Sequence, residues 1–291
     1  MAEATDPTAS IEALRAHPRV HASRKSLGQT PRRRIVSLVP SLSEALHVLG
    51  LGDRIVGVTD YCVHPADAFE GVARVGGTKD ADVDAIESVA PDLVIANEEE
   101  NTVRVVRKLA ERGLDVWVTY PRTVREGAAL LDELADLGAS DAARAAHVAP
   151  CLEAVARAER AAPAVRPRVF CPIWRDPWMT IGGDTYIDDM ISLAGGRNPF
   201  ATPEAAPVRG RADRRYPTVD LEAVVALDPE VILLPDEPYA FGARDREELL
   251  GTDCAAARTG RVHLIDGTLV SWYGPRIAEA IQALAQIFAT A

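Results

Sequence analysis

Residues 84–99 read DAIESVAPDLVIANEE and residues 222–237 read EAVVALDPEVILLPDE, one pattern given twice at a constant offset of 138 positions. Ile86 matches Val224, Val89 matches Leu227, Pro91 matches Pro229, and Glu98-Glu99 match Asp236-Glu237. In each copy an apolar spacing of three predicts a short helix, and the proline ends it. The β-branched and leucine run that follows predicts a strand buried on both faces. Acidic residues stand at the carboxyl end of that strand, the end at which parallel α/β sheets bind ligands. A period of half a chain is too long for a solenoid, whose units run roughly 20–50 residues. It predicts two similar β/α lobes with parallel sheets and a cleft between them.

Around the first copy, residues 34–39 and 54–58 predict strands, with Ser41 capping a helix over 42–49. The loop 59–80 is long for a compact domain, which marks it as functional. A helix over 101–112 and a strand over 114–119 close the lobe. From Thr123 to Ala162 the sequence turns rich in Ala, Leu, Arg and Glu. Gly138 breaks this stretch, and Ser140 caps a second helix that Pro150 should kink or restart. The opening of the first lobe then returns as Arg168-Val-Phe-Cys-Pro172. A helix over 184–193, an extended crossing segment over 198–218, a helix near 244–250, a strand over 262–265 and a helix over 275–290 follow. The expected organisation is a disordered leader over 1–33, a lobe over 34–121, a helical backbone over 122–163 and a lobe over 164–291.

With 291 residues and 47% hydrophobic content, the chain can bury one large core or two medium ones. No run approaches the roughly 20 apolar residues of a membrane span. The formal charge of −11 argues against a nucleic-acid partner, which needs clustered Lys and Arg. Residues 1–34 run the other way, with seven basic residues against Glu3, Asp6 and Glu12. This segment lacks the 7–15 apolar residues of a secretory signal. As written, the chain is expected in the cytoplasm; a start codon further upstream would place it outside. Cys62, Cys151, Cys171 and Cys254, none closely spaced, agree with a reducing compartment.

VSLVPSLSEALHVLGLGDRIVGVTDY, VGG with DVDAIESVAPDLVIA, TIGGDTYIDDMISLAGGRN, YPTVDLEAVVALDPEVILL and GPRIAEAI together resemble the cobalamin, haem and ferric-siderophore substrate-binding proteins of ABC importers. The resemblance spans about residues 34–290. It implies two lobes joined by one long helix, a metal chelate as ligand, and no catalysis. It also implies that Asp84 and Glu222, one acid per lobe, engage an ABC permease. Each acid equally suits the N-terminus of its helix.

A flat tetrapyrrole edged by amides or carboxylates needs aromatic walls and a few aimed polar groups. Tyr61, Trp174, Trp178, Trp272 and Tyr273 fall in loops expected at the ligand. His64 is a possible axial ligand to the chelate's metal, ahead of Cys62 and Cys171, while His17, His21 and His147 are expected to face solvent. A dedicated metal site is not expected, because an isolated Cys-x-His pair lacks the further donors it needs. Arg276, and behind it Arg175, Arg209, Arg211, Arg214 and Arg215, would suit an anionic edge. Lys79 and Glu98 complete the expected rim. No nucleotide-binding glycine pattern and no GxSxG elbow is present. The leading reading is a monomeric, non-enzymatic receptor for cobalamin or another corrinoid. The alternatives are a ferric-siderophore or haem receptor, and a cytosolic enzyme or metallochaperone using Cys62, His64 or Glu98.

Overall fold

Both copies of the repeat fold with the same bounds. Helix Val83–Ser88 precedes strand Leu93–Asn97, and helix Leu221–Ala226 precedes strand Val231–Pro235, again 138 positions apart. Even the backbone strain repeats, with positive φ at Ala90 (45°) and at Asp228 (49°) in the turn between helix and strand. An arginine holds each turn. Arg34 donates to the carbonyls of Ala90 (3.0 Å) and Val89 (2.6 Å), and Arg168 donates to that of Asp228 (2.8 Å). Asp92 and Glu230 close the clamp by accepting from the backbone N–H of Arg34 and Arg168.

The two turns differ in what a glycine would do. A left-handed alanine is strained by roughly 1–2 kcal/mol, so Ala90→Gly is expected to raise stability by about 0.5–1 kcal/mol after its entropic cost. Asp228→Gly should lower it, since Asp228 accepts from the Ala255 N–H (2.8 Å) and pairs with Arg168 and Arg258. Denaturant midpoints of the two variants check both signs.

The structure is a computed structural model that describes residues 10–161, 165–202 and 215–289. The chain divides into two units, Met1–Tyr120 with Ala129–Ala149, and Pro121–Ala128 with Pro150–Ala291. Helix Val124–Ala135 and the helical run from Asp141 to Arg160 carry the chain across these boundaries. In that run a π-helical segment, Arg144–Val148, precedes Pro150, whose missing N–H disrupts the regular bonding ladder.

Among its described residues the first unit has strands β1 (Val20–His21), β2 (Ile35–Ser37), β3 (Ile55–Val58), β4 (Ala73–Arg74), β5 (Leu93–Asn97) and β6 (Val116–Thr119). They form one parallel sheet in the order β1-β6-β5-β2-β3-β4. Every residue of β5 is buried, as its unbroken apolar run requires. Val94 and Ala96 pack with Ile86, Val106 and Leu109 of the flanking helices. Pro40 opens helix Pro40–Leu46, with Val39 rather than Ser41 at the cap; proline's fixed φ suits the first helical turn.

Residues 10–33 correct the expectation of a disordered leader. Ile11, Val20 and Leu27 are buried, β1 pairs with β6 in register Val20 to Val116, and Arg32 is buried against Asp115. His21, expected in solvent, lies 3.5 Å from the same carboxylate.

The second unit is a partial copy of the first. Strands β7 (Val169–Phe170), β10 (Val231–Pro235) and β11 (Val262–Ile265) form a parallel sheet in the order β11-β10-β7. Between β7 and β10 in the chain comes an antiparallel hairpin of β8 (Pro172–Trp174) and β9 (Met179–Thr180), where a loop is expected from the sequence. Phe170, Val224, Ile232, Leu234 and Val262 share a core. No helix among the described residues is long and apolar enough to cross a membrane.

Candidate functional site

In the first unit the candidate residues gather at the carboxyl ends of β3 and β5. The loop after β3 is held from below. Arg74 donates to the carbonyls of Thr59 (2.8 Å) and Cys62 (3.0 Å), and the Cys62 thiol is enclosed by Ser43 Oγ (3.1 Å) and Thr59 Oγ1 (3.2 Å). Cys62 is fully buried, so it anchors the loop and cannot reach a ligand. The anchored loop presents Tyr61 at 62% exposure, together with exposed Val63 and His64. That combination offers a flat apolar face with an imidazole beside it.

After β5, Asn97 and Asn101 organise the strand end. Asn101 accepts from the Asn97 N–H (2.8 Å) and donates to the carbonyls of Thr78 (2.8 Å) and Leu38 (3.3 Å). Asn97 accepts from the N–H groups of Glu99 (2.8 Å) and Glu100 (3.2 Å). Lys79 donates to the Glu99 carbonyl, and Glu98 pairs with Arg15 at 3.2 Å. The two asparagines, which bracket the acidic triplet, were legible only as strand-end polar residues.

In the second unit a chain of rings runs from the surface into the core. Trp174, 45% exposed, meets Tyr239 edge-on at 5.6 Å, and Tyr239 contacts Phe241 at 4.7 Å. Phe241 stacks on Trp178 (5.8 Å, 6°), and Trp178 leads to buried Phe170 and Phe200. Arg175 lies 5.1 Å over Trp178 and is bound by Asp245 and Glu248. Those carboxylates hold the guanidinium over the ring. Tyr239 and Phe241 follow β10 by four and six residues; their distance from the tryptophans in sequence hid them.

Trp272 and Tyr273 are buried, at 8% and 6% exposure. Tyr273 meets Tyr186 edge-on at 5.5 Å, and the Tyr186 hydroxyl donates to the Trp272 carbonyl at 3.3 Å. Arg276 lies 5.1 Å over the Trp272 ring and bonds Thr268 Oγ1 at 3.0 Å, with Asp266 at 3.6 Å.

Beside Trp272 stands an acid that sequence reasoning passed over. Glu237, at the carboxyl end of β10 and the counterpart of Glu99, has no ion pair among the described residues. Burial holds its carboxyl above the usual range, against hydrogen bonds from Ser271 (2.8 Å) and Trp272, with Asp236 and Asp266 adding repulsion. A Cβ on Gly267 would stand 2.5 Å from Glu237 Cγ, so glycine is needed for this close approach. A partly buried carboxyl with a raised pKa, beside an aromatic wall and with no ion pair among the described residues, is a functional-site signature. Because the folded state favours the protonated form, stability falls as pH rises through this raised pKa. Glu237→Gln keeps the acceptor and removes the charge, so its unfolding midpoint should match wild type near pH 4 and exceed it near pH 7 in a thermal melt.

The remaining candidates are placed as follows. Cys171 is buried and its thiol pushed up to about 12 by burial alone, which removes it as a ligand. Among the described residues no group of three or more His, Cys, Asp or Glu could hold a metal ion. Asp84 is 81% exposed and pairs with Arg112 at 2.5 Å, while Glu222 is exposed with no ion pair among the described residues. Both stand in the first turn of their helices. Arg209, Arg211 and Arg214 lie outside the described residues; Arg215 donates to the Asp184 carbonyl at 2.8 Å. A separate cavity of 820 Å³ in the second unit, walled by helices Ala149–Arg160 and Ile277–Ala289, shares no residue with the ring chain.

The chain is similar to the vitamin B12-binding protein of Vibrio cholerae serotype O1, at 27% identity over 87% of each chain. It is also 27% identical to the uncharacterized ABC transporter substrate-binding lipoprotein YvrC of Bacillus subtilis, over 87% of this chain and 79% of that one. In structure it resembles the periplasmic vitamin B12 binding protein BtuF of Vibrio cholerae, with a TM-score of 0.74, 23% identity, and 89% and 98% of the two chains covered. A periplasmic heme binding protein from Pseudomonas aeruginosa gives a TM-score of 0.69 at 26% identity, covering 89% and 94%. The profile of the periplasmic binding protein family matches residues 35–269, and the chain belongs to that family.

Proposed function

We propose that this protein binds, without transforming it, a bulky metal chelate whose rim carries amides rather than carboxylates, a corrinoid of the cobalamin kind. The observation that carries this reading is the state of the described basic side chains at the strand ends. Arg175 is held by Asp245 and Glu248, Arg276 by Asp266 and Thr268, Arg15 by Glu98, and Lys79 by the Glu99 carbonyl. Asp236, Glu237, Asp266, Glu99 and Glu100 stand in the same neighbourhoods. An anionic edge would have to break existing pairs and face these acids, whereas amide N–H groups find acceptors. Exposed Tyr61 in the first unit and exposed Trp174 in the second each offer an apolar face of the kind a flat macrocycle needs.

The second reading, a haem or ferric-siderophore receptor, is favoured by one feature. Tyr61 and His64 share an exposed loop, and either is a suitable donor to an open coordination position on iron. On both readings His64 donates to a metal the chelate already holds.

The partner implied is an ABC permease reached through Asp84 and Glu222. Arg112 already neutralises Asp84, so Glu222 carries the stronger electrostatic attraction, and charge reversal there should impair uptake more. Names of the relatives place them in the periplasm or on a lipid anchor, which supports an extracytoplasmic site of action. Fractionation of the native host checks that compartment.

The direct test is quenching of tryptophan fluorescence by cyanocobalamin, hemin and a ferric siderophore. Saturable quenching by cyanocobalamin at the lowest concentration is expected. Tighter quenching by hemin or the siderophore would transfer the assignment to the second reading.

A further inference from the structure

We infer that residues 10–33, which precede the family-matched region, are a working part of the first unit: they brace its sheet and deliver Arg15 to Glu98 at the ligand-bearing strand end.

Four groups of contacts support the brace. β1 extends the sheet beyond β6, and the Val116 N–H donates to the Arg19 carbonyl at 2.8 Å. Asp115, in the residue before β6, gathers Arg19 (2.9 Å), Arg32 (2.8 Å) and His21 (3.5 Å) from this one segment. Arg32 also donates to the carbonyl of Asp92 (2.5 Å), which ties the segment to the start of β5, and to that of Leu27 (3.2 Å) within the segment itself. The Arg24 N–H donates to Glu133 at 3.0 Å. Ile11, Val20 and Leu27 then bury their side chains beneath it. A segment whose apolar residues are buried, and whose Arg15, Arg19 and Arg32 each meet an acid far along the chain, is built to stay.

Its position gives it a second task. The short helix Ile11–Leu14 ends at Arg15, which reaches Glu98 at 3.2 Å and Glu12 at 3.2 Å. Glu98 follows β5 directly, and its backbone N–H is fixed by the Thr119 carbonyl at 3.0 Å. Arg15 therefore acts as a positioning residue that offsets one acid of the rim. A protein cut at residue 34 would lose a strand, the partners of Asp115 and this charge balance together.

Hydrogen exchange on the full chain tests the brace without any ligand. The amides of Val20, His21 and Val116 are expected to exchange at least about a hundredfold more slowly than an unfolded chain. Coil-like exchange across residues 16–24 would overturn the inference. The Arg15 arm rests on the proposed function and uses cyanocobalamin and one of its monocarboxylic acids, made by hydrolysing a single side amide. Arg15→Ala should disfavour the acid relative to the neutral ligand by about threefold further than wild type. Arg15→Lys, or Arg15→Ala combined with Glu98→Gln, should restore the wild-type ratio. An unchanged ratio in Arg15→Ala overturns the positioning role alone, and failure of wild type to bind cyanocobalamin overturns the proposed function as well.

Discussion

Asp115→Asn is expected to lower the stability of the first unit by about 2–4 kcal/mol, the range for removing one partner from a mostly buried ion pair. The cost arises from what is left behind. Arg32 is buried and pairs with no other carboxylate among the described residues, so its guanidinium would stay charged with only carbonyls to accept from it. Arg19→Ala removes a half-exposed partner of the same acid and should cost less than about 1 kcal/mol. The pH profile gives a second reading. Burial works against the Asp115 charge, but hydrogen bonds from Arg19, Arg32 and His21 outweigh it and hold the carboxyl below its usual value. A lowered folded pKa contributes stability that is present above the unfolded value and lost as pH falls through the folded one. The variant should therefore lose stability at neutral pH and show a flatter acid limb. Thermal melts from pH 3 to 7 check both.

Trp174→Ala is expected to weaken cyanocobalamin binding by roughly ten- to a hundredfold, or about 1.4–2.7 kcal/mol. Its ring is exposed at the tip of the β8–β9 hairpin and supported edge-on by Tyr239, so it offers a preformed face at little entropic cost. Stability should change by only about 1 kcal/mol, because the ring keeps 45% exposure and Tyr239 is its one ring contact among the described residues. Trp178→Ala separates the two effects. That ring stacks on Phe241, touches Phe170 and carries Arg175, so its loss should unfold the second unit earlier by about 2–4 kcal/mol. Titration and melting of the two variants side by side distinguish a ligand face from a core support.

The repeat was legible because it rests on local chemistry. A helix stopped before Pro91 and Pro229, followed by a buried apolar run, has few other solutions, and the observed elements keep the 138-residue offset. β1 was not legible, since a two-residue strand carries no period and its stability comes from Asp115 on a distant segment. The basic excess of the N-terminal segment suggested a solvated tail, yet Arg15, Arg19 and Arg32 each meet an acid far along the chain. At the site, tryptophan scarcity pointed to Trp174 and Trp178. It gave no means to tell exposed Trp174 from buried Trp272, because burial there depends on Tyr186, Tyr273 and Arg276 packing around it. Glu237 was visible only through the repeat, as the partner of Glu99. Its burial is set by Gly267 and Ser271, some thirty residues away.

Selection of an amide-edged chelate by this protein is tested most directly by equilibrium dialysis of the purified full chain against cyanocobalamin, with hemin as competitor. One cyanocobalamin per chain is expected, retained when hemin is present in equal amount. Absence of bound cyanocobalamin, or its displacement by equimolar hemin, would contradict it.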